Sequence, residues 1–128
     1  MWQLPPAGSV DVHAVGADGV VALGRQALAE LREELGLTPD DVDTPVPLCL
    51  VEHPGSHVCD LGMALRSALD GAAIHAAHRE RGNGEYPTLR IVPFEDLPRF
   101  LAAAGESLVP PALVFLARAG LLIPRGAD

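Results

Sequence analysis

The chain has 128 residues, the length of one ordinary domain, and we expect a single domain over residues 1–128. Its 48% hydrophobic and 20% charged residues are typical of a globular protein and exclude a disordered chain. The net charge is −8, and the sequence has no basic stripe that could bind a nucleic acid. The chain contains no lysine, which excludes both Schiff-base chemistry and a phosphate-binding-loop lysine.

The first regular element predicted along the chain is a helix. Residues 2–10 read as a short extended segment, and residues 11–24 as a loop with at most a short strand. A helix follows over residues 25–35, because leucines recur there at spacings of three and four: Leu28, Leu31 and Leu35. Gly36 stands where a helix C′ residue with positive φ belongs, so the helix is predicted to end there.

A hairpin and a second helix are predicted next. Residues 46–51 form an apolar strand, and a turn at residues 53–56 leads into a second strand around residues 58–65. Residues 70–81 are predicted to form a helix with Asp70 as its N-cap.

The C-terminal part of the chain is predicted to contain one strand and two helices. A glycine-rich turn at residues 82–84 precedes a strand over residues 88–92. A helix over residues 95–104 has one apolar stripe, and a last helix over residues 111–122 is apolar almost all round and must pack against another element.

The first predicted helix carries three glutamates at positions i, i+3 and i+4: Glu30, Glu33 and Glu34. This spacing directs all three from one helix face, roughly opposite the leucine stripe. Like charges at this spacing repel, so a cation or solvent must offset them. A hard cation such as Mg²⁺ takes oxygen ligands and needs only a few carboxylates together with substrate phosphates. The spacing alone leaves open both a solvated helix face and a magnesium site.

The sequence around these glutamates resembles the Nudix box. Residues 29–37 match eight of the nine positions of its second half, R-E-U-x-E-E-x-G-U, in which U is aliphatic. Residues 2–11 are similar to the W-x-L-P-G-G-x-x-E segment that starts the box. Residues 79–86 resemble the acidic loop and G-E-W/Y segment of the family, and residues 92–97 its V-P-x-E-x-L motif. The resemblance spans nearly the whole chain and implies an α+β fold, a Nudix-type α/β/α sandwich with a mixed sheet that lacks its first strands.

The resemblance also implies roles for individual residues. Glu33 and Glu34 would be the central catalytic residues and magnesium ligands, Glu30 a third ligand and the backbone carbonyl of Ala7 a fourth. Glu80 matches the loop glutamate that acts as a general base on the attacking water in some members. The implied cofactor is Mg²⁺, with Mn²⁺ as an alternative. The implied reaction is hydrolysis of a nucleoside diphosphate derivative or a related pyrophosphate.

The chain departs from the family pattern at two places in the box. Ala29 replaces the arginine that orients the glutamates in the family, and Arg25, one turn earlier, is a candidate to support them instead. The box glutamate expected after the N-terminal segment is missing, because the family spacing falls on Ala14; Asp11 is the nearest carboxylate.

The strands that precede the box in the family have no counterpart in the sequence. We therefore expect either that the chain starts late or that a partner chain covers the exposed sheet edge, because an uncovered edge promotes aggregation. The expected oligomeric state is a homodimer.

Other residues give weaker indications. No apolar run of about eighteen residues and no secretory leader occurs, so we expect no membrane association and a cytoplasmic location. Cys49 and Cys59 are too few for a disulfide framework. His53, His57 and Cys59 are candidate zinc ligands without a suitably spaced fourth, and a solvated loop is the simpler interpretation.

Two functions of different class follow. The first is a Mg²⁺-dependent Nudix-type hydrolase that acts on a nucleotide-like or pyrophosphate compound, supported by the intact glutamates. The alternative is a catalytically impaired Nudix-fold module that binds a ligand or a protein, supported by Ala29 and by the missing strands.

Overall fold

The computed structural model describes residues 2–8 and 15–122; Asp11 and Ala14 lie outside the described residues. The described part of the chain forms helices and a small antiparallel sheet, in agreement with the predicted α+β class. It divides into two compact units that interleave along the sequence. Each helix among these residues is too short or too polar to span a membrane.

The first unit, here named the helical unit, comprises the described residues of 4–45 and 65–91. Its two helices are α1, Leu23–Leu35, and α2, Gly71–Arg81. The second unit, the hairpin unit, comprises residues 2–3, 46–64 and 92–122. Its main elements are β1 Val46–Glu52, β2 Cys59–Ala64, α3 Leu97–Ala104 and α4 Pro110–Arg118.

Helix α1 confirms the predicted helix and begins two residues earlier. It ends as predicted, because Gly36 adopts a left-handed conformation with φ of 71° and donates its N–H to Arg32 O at 3.0 Å. Helix α2 also begins at the predicted cap, where Asp70 Oδ1 accepts the N–H of Ala73 at 2.8 Å.

The core of the helical unit forms between the apolar faces of α1 and α2. Its buried members are Leu31, Leu35, Leu37 and Ala77. Partly buried side chains surround them: Leu28, Val42, Leu65, Leu69, Ile74 and Leu89. The predicted leucine stripe of α1 is therefore the side of the helix that packs, as its spacing requires.

The two helices approach closely at Gly36. A Cβ atom there would lie 2.6 Å from Arg81 Cβ and 2.7 Å from Ala77 O, so only glycine fits between α1 and α2. The Nε–H of Arg81 donates to Gly36 O at 3.0 Å and satisfies a carbonyl that the end of α1 leaves free.

The hairpin unit contains the predicted pair of strands. β1 and β2 run antiparallel, Leu50 pairs with Leu61, and the register shifts between Pro47 and Cys49. Helix α4 lies against both strands, and the ring of Phe115 covers Gly62, where a Cβ atom would overlap it.

The two C-terminal helices of this unit begin or end at residues other than those predicted from the sequence. α3 begins after a 3-10 turn, Phe94–Asp96, and α4 ends at Arg118, four residues before its predicted end. Trp2 packs edge-on against Phe100 with a ring-centroid distance of 5.5 Å. The N-terminal tryptophan thus belongs to the unit that also contains the C-terminal helices.

The sheet differs from the expected mixed sheet. Its two strands are antiparallel, and among the described residues they form the whole sheet. The prediction of a strand over residues 88–92 is wrong, because these residues have no regular secondary structure. The carbonyl of Leu89 is bonded to the His75 side chain at 3.1 Å instead of to a neighbouring strand.

Candidate functional site

Glu34 is the buried carboxylate of the helical unit. Only 1% of the residue is exposed, although acidic side chains are seldom fully buried unless they are paired. Its Oε2 accepts the backbone N–H of Ala7 at 2.8 Å. Its Oε1 is the one buried side-chain polar atom, among the residues that the structure describes, with no hydrogen-bond partner. A buried acceptor without a partner is unfavourable by about 1–3 kcal/mol, more when it is charged.

The surroundings of Glu34 raise its pKa to about 7 from the usual 4.5. Burial is the largest cause, because the charged form loses its hydration. The N–H of Ala7 acts in the opposite direction by stabilising the carboxylate. The negative charges of Glu85 and Glu30 raise the pKa further, and Glu85 also favours the protonated form of Glu34, although Oε1 forms no hydrogen bond in the structure. Three carboxylates therefore act on one another here.

Glu30 lies one turn before Glu34 and beside the same N-terminal segment. It is half-buried, and its Oε1 accepts a hydrogen bond from Gln26 Nε2 at 2.8 Å. A Cβ atom at Gly8 would overlap the Glu30 carboxylate. The backbone of Ala7 and Gly8 thus lies along the face of α1 that carries Glu30 and Glu34.

Glu33 is placed differently from its two neighbours. Its side chain is exposed, and its backbone carbonyl accepts the N–H of Asn83 at 2.9 Å. Each residue of a helix is rotated by about 100° from the last, so Glu33 is nearly opposite the leucine stripe while Glu34 lies at its border. The three glutamates that the sequence places on one face therefore have different environments.

The other predicted site residues lie apart from Glu34 or contact it in an unexpected way. Glu80 is exposed on α2, with its carboxylate 3.7 Å from the Arg81 guanidinium. Arg25 is exposed in the first turn of α1. Ala7 contacts Glu34 through its N–H, whereas the resemblance implied a role for its carbonyl.

Glu85 is the site residue that sequence reasoning missed. It lies within residues 79–86, which resemble the acidic loop of the Nudix family, but the resemblance matches the general base to Glu80. Because α2 continues to Arg81, Glu80 belongs to the helix and Glu85 to the loop that follows. The predicted helix end at Gly82 was the signal that could have distinguished these two glutamates.

The histidines of the hairpin pair with carboxylates. His53 Nε2 lies 2.5 Å from Asp60 Oδ2, and His57 Nδ1 lies 2.7 Å from Glu52 Oε1. These are two separate pairs, and the zinc site considered from the sequence is not assembled at this turn. More generally, the described part of the chain contains no preformed group of three or more His, Cys, Asp or Glu side chains that could hold a metal ion.

Comparison with known proteins adds no relative. No family model, no curated protein and no solved structure matches the chain.

The carboxylates of Glu34, Glu30 and Glu85, here named the Glu34 cluster, nevertheless have a chemistry that suits a divalent cation. An oxygen atom without a partner, next to two further carboxylates, is an unfavourable arrangement unless a proton or a cation offsets the charge. Mg²⁺ is bound by as few as one or two carboxylates, with water and substrate phosphates completing its shell. The cluster therefore has the donor chemistry that Mg²⁺ uses, and a third preformed ligand is not required.

Proposed function

We propose that the protein is a Mg²⁺-dependent hydrolase of the Nudix type that acts on a nucleoside diphosphate derivative or a related pyrophosphate. The observation that carries the proposal is the buried Glu34 carboxylate, whose Oε1 has no hydrogen-bond partner among the described residues. A helix that only supported the fold would have no reason to bury an ionisable group in this state. The similarity of residues 29–37 to the Nudix box supports the choice of reaction.

We assign a role to each residue on the basis of its position. Glu34 and Glu30 would hold the cation, and the N–H of Ala7 fixes the orientation of the Glu34 carboxylate. Gln26 restrains Glu30 in the same way. When bound, the cation supplies neutralisation of the phosphate oxygens and activation of water. Exposed Glu33 lies at the rim of this face, where it can contact substrate or solvent.

A comparison of two neighbouring glutamates tests the proposal. Phosphate release from a panel of nucleoside diphosphate derivatives is measured with Mg²⁺ or Mn²⁺ for the native chain, Glu34→Gln and Glu33→Gln. We expect turnover by the native chain, a loss of at least 100-fold on Glu34→Gln, and a smaller loss on Glu33→Gln, because only Glu34 is buried. Equal background rates for all three proteins would refute the hydrolase.

The alternative is a Nudix-fold module that binds a ligand or a protein without turnover. Its specific support is the position of Glu80, which lies exposed beside Arg81 instead of within the Glu34 cluster, so the general base implied by the resemblance is missing from the site. The replacement of the box arginine by Ala29 supports it as well. Mg²⁺-dependent binding of the same panel of compounds without phosphate release would favour this module.

A further inference from the structure

Glycine follows an aspartate or an asparagine at three places in the chain: Asp18–Gly19, Asp70–Gly71 and Asn83–Gly84. In such a pair the backbone nitrogen of the glycine can attack the side-chain carbonyl carbon, because glycine has no Cβ atom to hinder the approach. The asparagine amide is the more reactive target, since a carboxylate anion resists a nucleophile. Asn83 is the only asparagine of the chain, and the Asp70 side chain is occupied as the cap of α2. The surroundings of Asn83 therefore decide whether the protein has a reactive site of this kind.

The side chain of Asn83 is folded back over the peptide bond that follows it. Its Oδ1 accepts the backbone N–H of Glu85 at 3.0 Å, which is the hydrogen bond of an Asx turn. This bond holds Cγ of Asn83 beside the peptide nitrogen of Gly84. It also polarises the side-chain carbonyl and stabilises the negative charge that forms on Oδ1 during an attack. The turn therefore favours attack on Cγ by the Gly84 nitrogen.

The attacking nitrogen at Gly84 is accessible to solvent. Asn83 and Gly84 are both exposed, and Gly84 has φ of 81°. Apart from its chain neighbours, no atom lies within 4 Å of the position that a Cβ of Gly84 would take. Within the described part of the chain, the N–H of Gly84 donates no hydrogen bond. Hydroxide can therefore reach and remove its proton, which the attack requires.

The turn at Asp18 and Gly19 has the same shape but is protected. Asp18 Oδ1 accepts the N–H of Val20 at 3.0 Å, and Gly19 has φ of 79°. Here, however, the N–H of Gly19 donates to Gly16 O at 2.9 Å, so the glycine nitrogen is held in place and its proton is shielded. Of these two turns, the one at Asn83 is the turn whose glycine nitrogen is free to react.

We propose that Asn83 is a site of spontaneous covalent modification, at which the folded protein converts asparagine into aspartate and isoaspartate. The Gly84 nitrogen loses its proton to hydroxide and bonds to Asn83 Cγ; the Cγ–Nδ2 bond breaks, and ammonia leaves with a proton taken from water. Water then opens the resulting succinimide ring at one of its two C–N bonds. Opening at Cγ gives aspartate, and opening at the main-chain carbonyl carbon gives isoaspartate, whose backbone runs through Cβ and Cγ. Overall, one water is consumed and one ammonia is released, without oxidation or reduction. The reaction is independent of the proposed hydrolase.

The modification changes the surroundings of the end of helix α1. The backbone N–H of Asn83 donates to Glu33 O at 2.9 Å and satisfies a carbonyl in the last turn of this helix. Aspartate adds one negative charge to the net −8, next to the negative end of the helix dipole. Isoaspartate also lengthens the main chain before Tyr86, whose carbonyl is bonded to the His78 side chain at 2.9 Å. We therefore expect both products to be less stable than the native chain.

Intact-mass measurement tests the reaction. The full chain is incubated at pH 8, and the gain of about 1 Da that replaces an amide by a carboxyl group is followed for the native protein and for Asn83→Gln. Glutamine also carries an amide, but its longer side chain would have to close a larger ring, so this variant is the matched control. We expect Asn83→Gln to gain mass at least tenfold more slowly, and peptide mapping of the native chain to find both aspartate and isoaspartate at residue 83. Equal rates for the two proteins would overturn the proposal.

A comparison with the unfolded chain tests the contribution of the structure. Modified residue 83 and isoaspartate at residue 18 are quantified in the folded protein and in the same chain unfolded in guanidinium chloride. We expect folded Asn83 to react at no less than about one third of its unfolded rate, because its turn is exposed and the Gly84 N–H is free. Asp18 should react at least tenfold more slowly when folded, because the N–H of Gly19 is bonded. A slower reaction of folded Asn83, or equal protection of both residues, would overturn the proposal.

A pair of variants tests the effect on stability. Asn83→Asp reproduces the aspartate product, and Asn83→Ser keeps an oxygen acceptor for the N–H of Glu85 without the charge. We expect Asn83→Asp to melt about 2–4 °C below Asn83→Ser, and this difference to shrink at high salt, which screens the added charge. Equal melting temperatures of the two variants would overturn the effect on α1.

Discussion

Glu34 is an ionisable side chain enclosed by the backbone of Ala7 and influenced by two other carboxylates. Its pKa of about 7 lies above the usual 4.5, so the folded protein binds a proton more tightly at this residue than the unfolded chain does. The contribution of Glu34 to stability is therefore most favourable at low pH. It is lost progressively as the pH rises from about 4.5 to about 7.

The pH dependence gives a prediction for the cation-free protein. In the presence of a chelator, Glu34→Gln should be more stable than the native chain at pH 8 and should lose this advantage below pH 5. The difference in the free energy of unfolding should be at most about 3 kcal/mol, as a pKa raised from 4.5 to about 7 implies. Urea denaturation of both proteins between pH 4.5 and 8 measures it. A native chain that becomes more stable over this pH range, relative to Glu34→Gln, would contradict the assigned pKa direction.

Gly8 gives a second prediction at the residue scale. Gly8→Ala places a methyl group onto the Glu30 carboxylate, which is the movable end of a flexible side chain. We expect the variant to fold with nearly native stability, within about 1 kcal/mol, because the side chain can rotate away. Mn²⁺ binding should weaken severalfold because Glu30 is displaced. Gly19→Ala, which meets no atom within 4 Å, is the control and should leave Mn²⁺ binding unchanged.

The sequence predicts part of the site at this scale. The spacing of Glu30 and Glu34 correctly predicts that both lie on one side of α1. Helical geometry also explains why the exposed side chain of Glu33 points away from that side. The burial of Glu34 could not be predicted, because the cover is supplied by Ala7, 27 residues away along the chain. The position of the loop that carries Glu85 depends in the same way on hydrogen bonds, at Asn83 and Tyr86, that no local pattern reveals.

The crossing of α1 and α2 at Gly36 gives a prediction at the scale of elements. Gly36→Ala combines a side chain at φ of 71° with overlap on Arg81 Cβ and Ala77 O. Gly19 has φ of 79° but open space around it, so Gly19→Ala isolates the backbone strain alone. We expect a loss of stability of about 1 kcal/mol for Gly19→Ala and about 2–4 kcal/mol for Gly36→Ala. Equal losses in urea denaturation would show that the helices do not constrain this position.

Local patterns predict the helices and the hairpin better than the last strand. The leucine stripe, the Asp70 cap and Gly36 are signals within a few residues of the structure they specify. Residues 88–92 have an apolar strand-like composition, but a strand also needs a partner edge. In this protein the carbonyl of Leu89 bonds to His75 instead, and that choice is made by the tertiary structure.

The state of association belongs to the scale of the whole molecule. The two-stranded sheet of the hairpin unit has free edges among the described residues, and Leu50 on β1 is 64% exposed. We propose that a second copy of the chain covers this sheet, in accord with the homodimer expected from the sequence. Sedimentation equilibrium should give twice the monomer mass of 13.4 kDa. Leu50→Asp should restore the monomer, and Leu113→Asp on α4 should not. A monomeric native chain at tens of micromolar concentration would contradict the dimer.

The interleaving of the two units has a consequence for biosynthesis. The described residues of the helical unit, which contain Glu34 and its neighbours, are all translated once Ile91 has been added. β1 and β2 emerge before this point, but α4, which packs against them, is made after it. An isolated hairpin has little stability in water. The hairpin of β1 and β2 is therefore uncovered in the nascent chain at a stage when the helical unit can already fold. A ribosome-associated chaperone would be needed most during this interval.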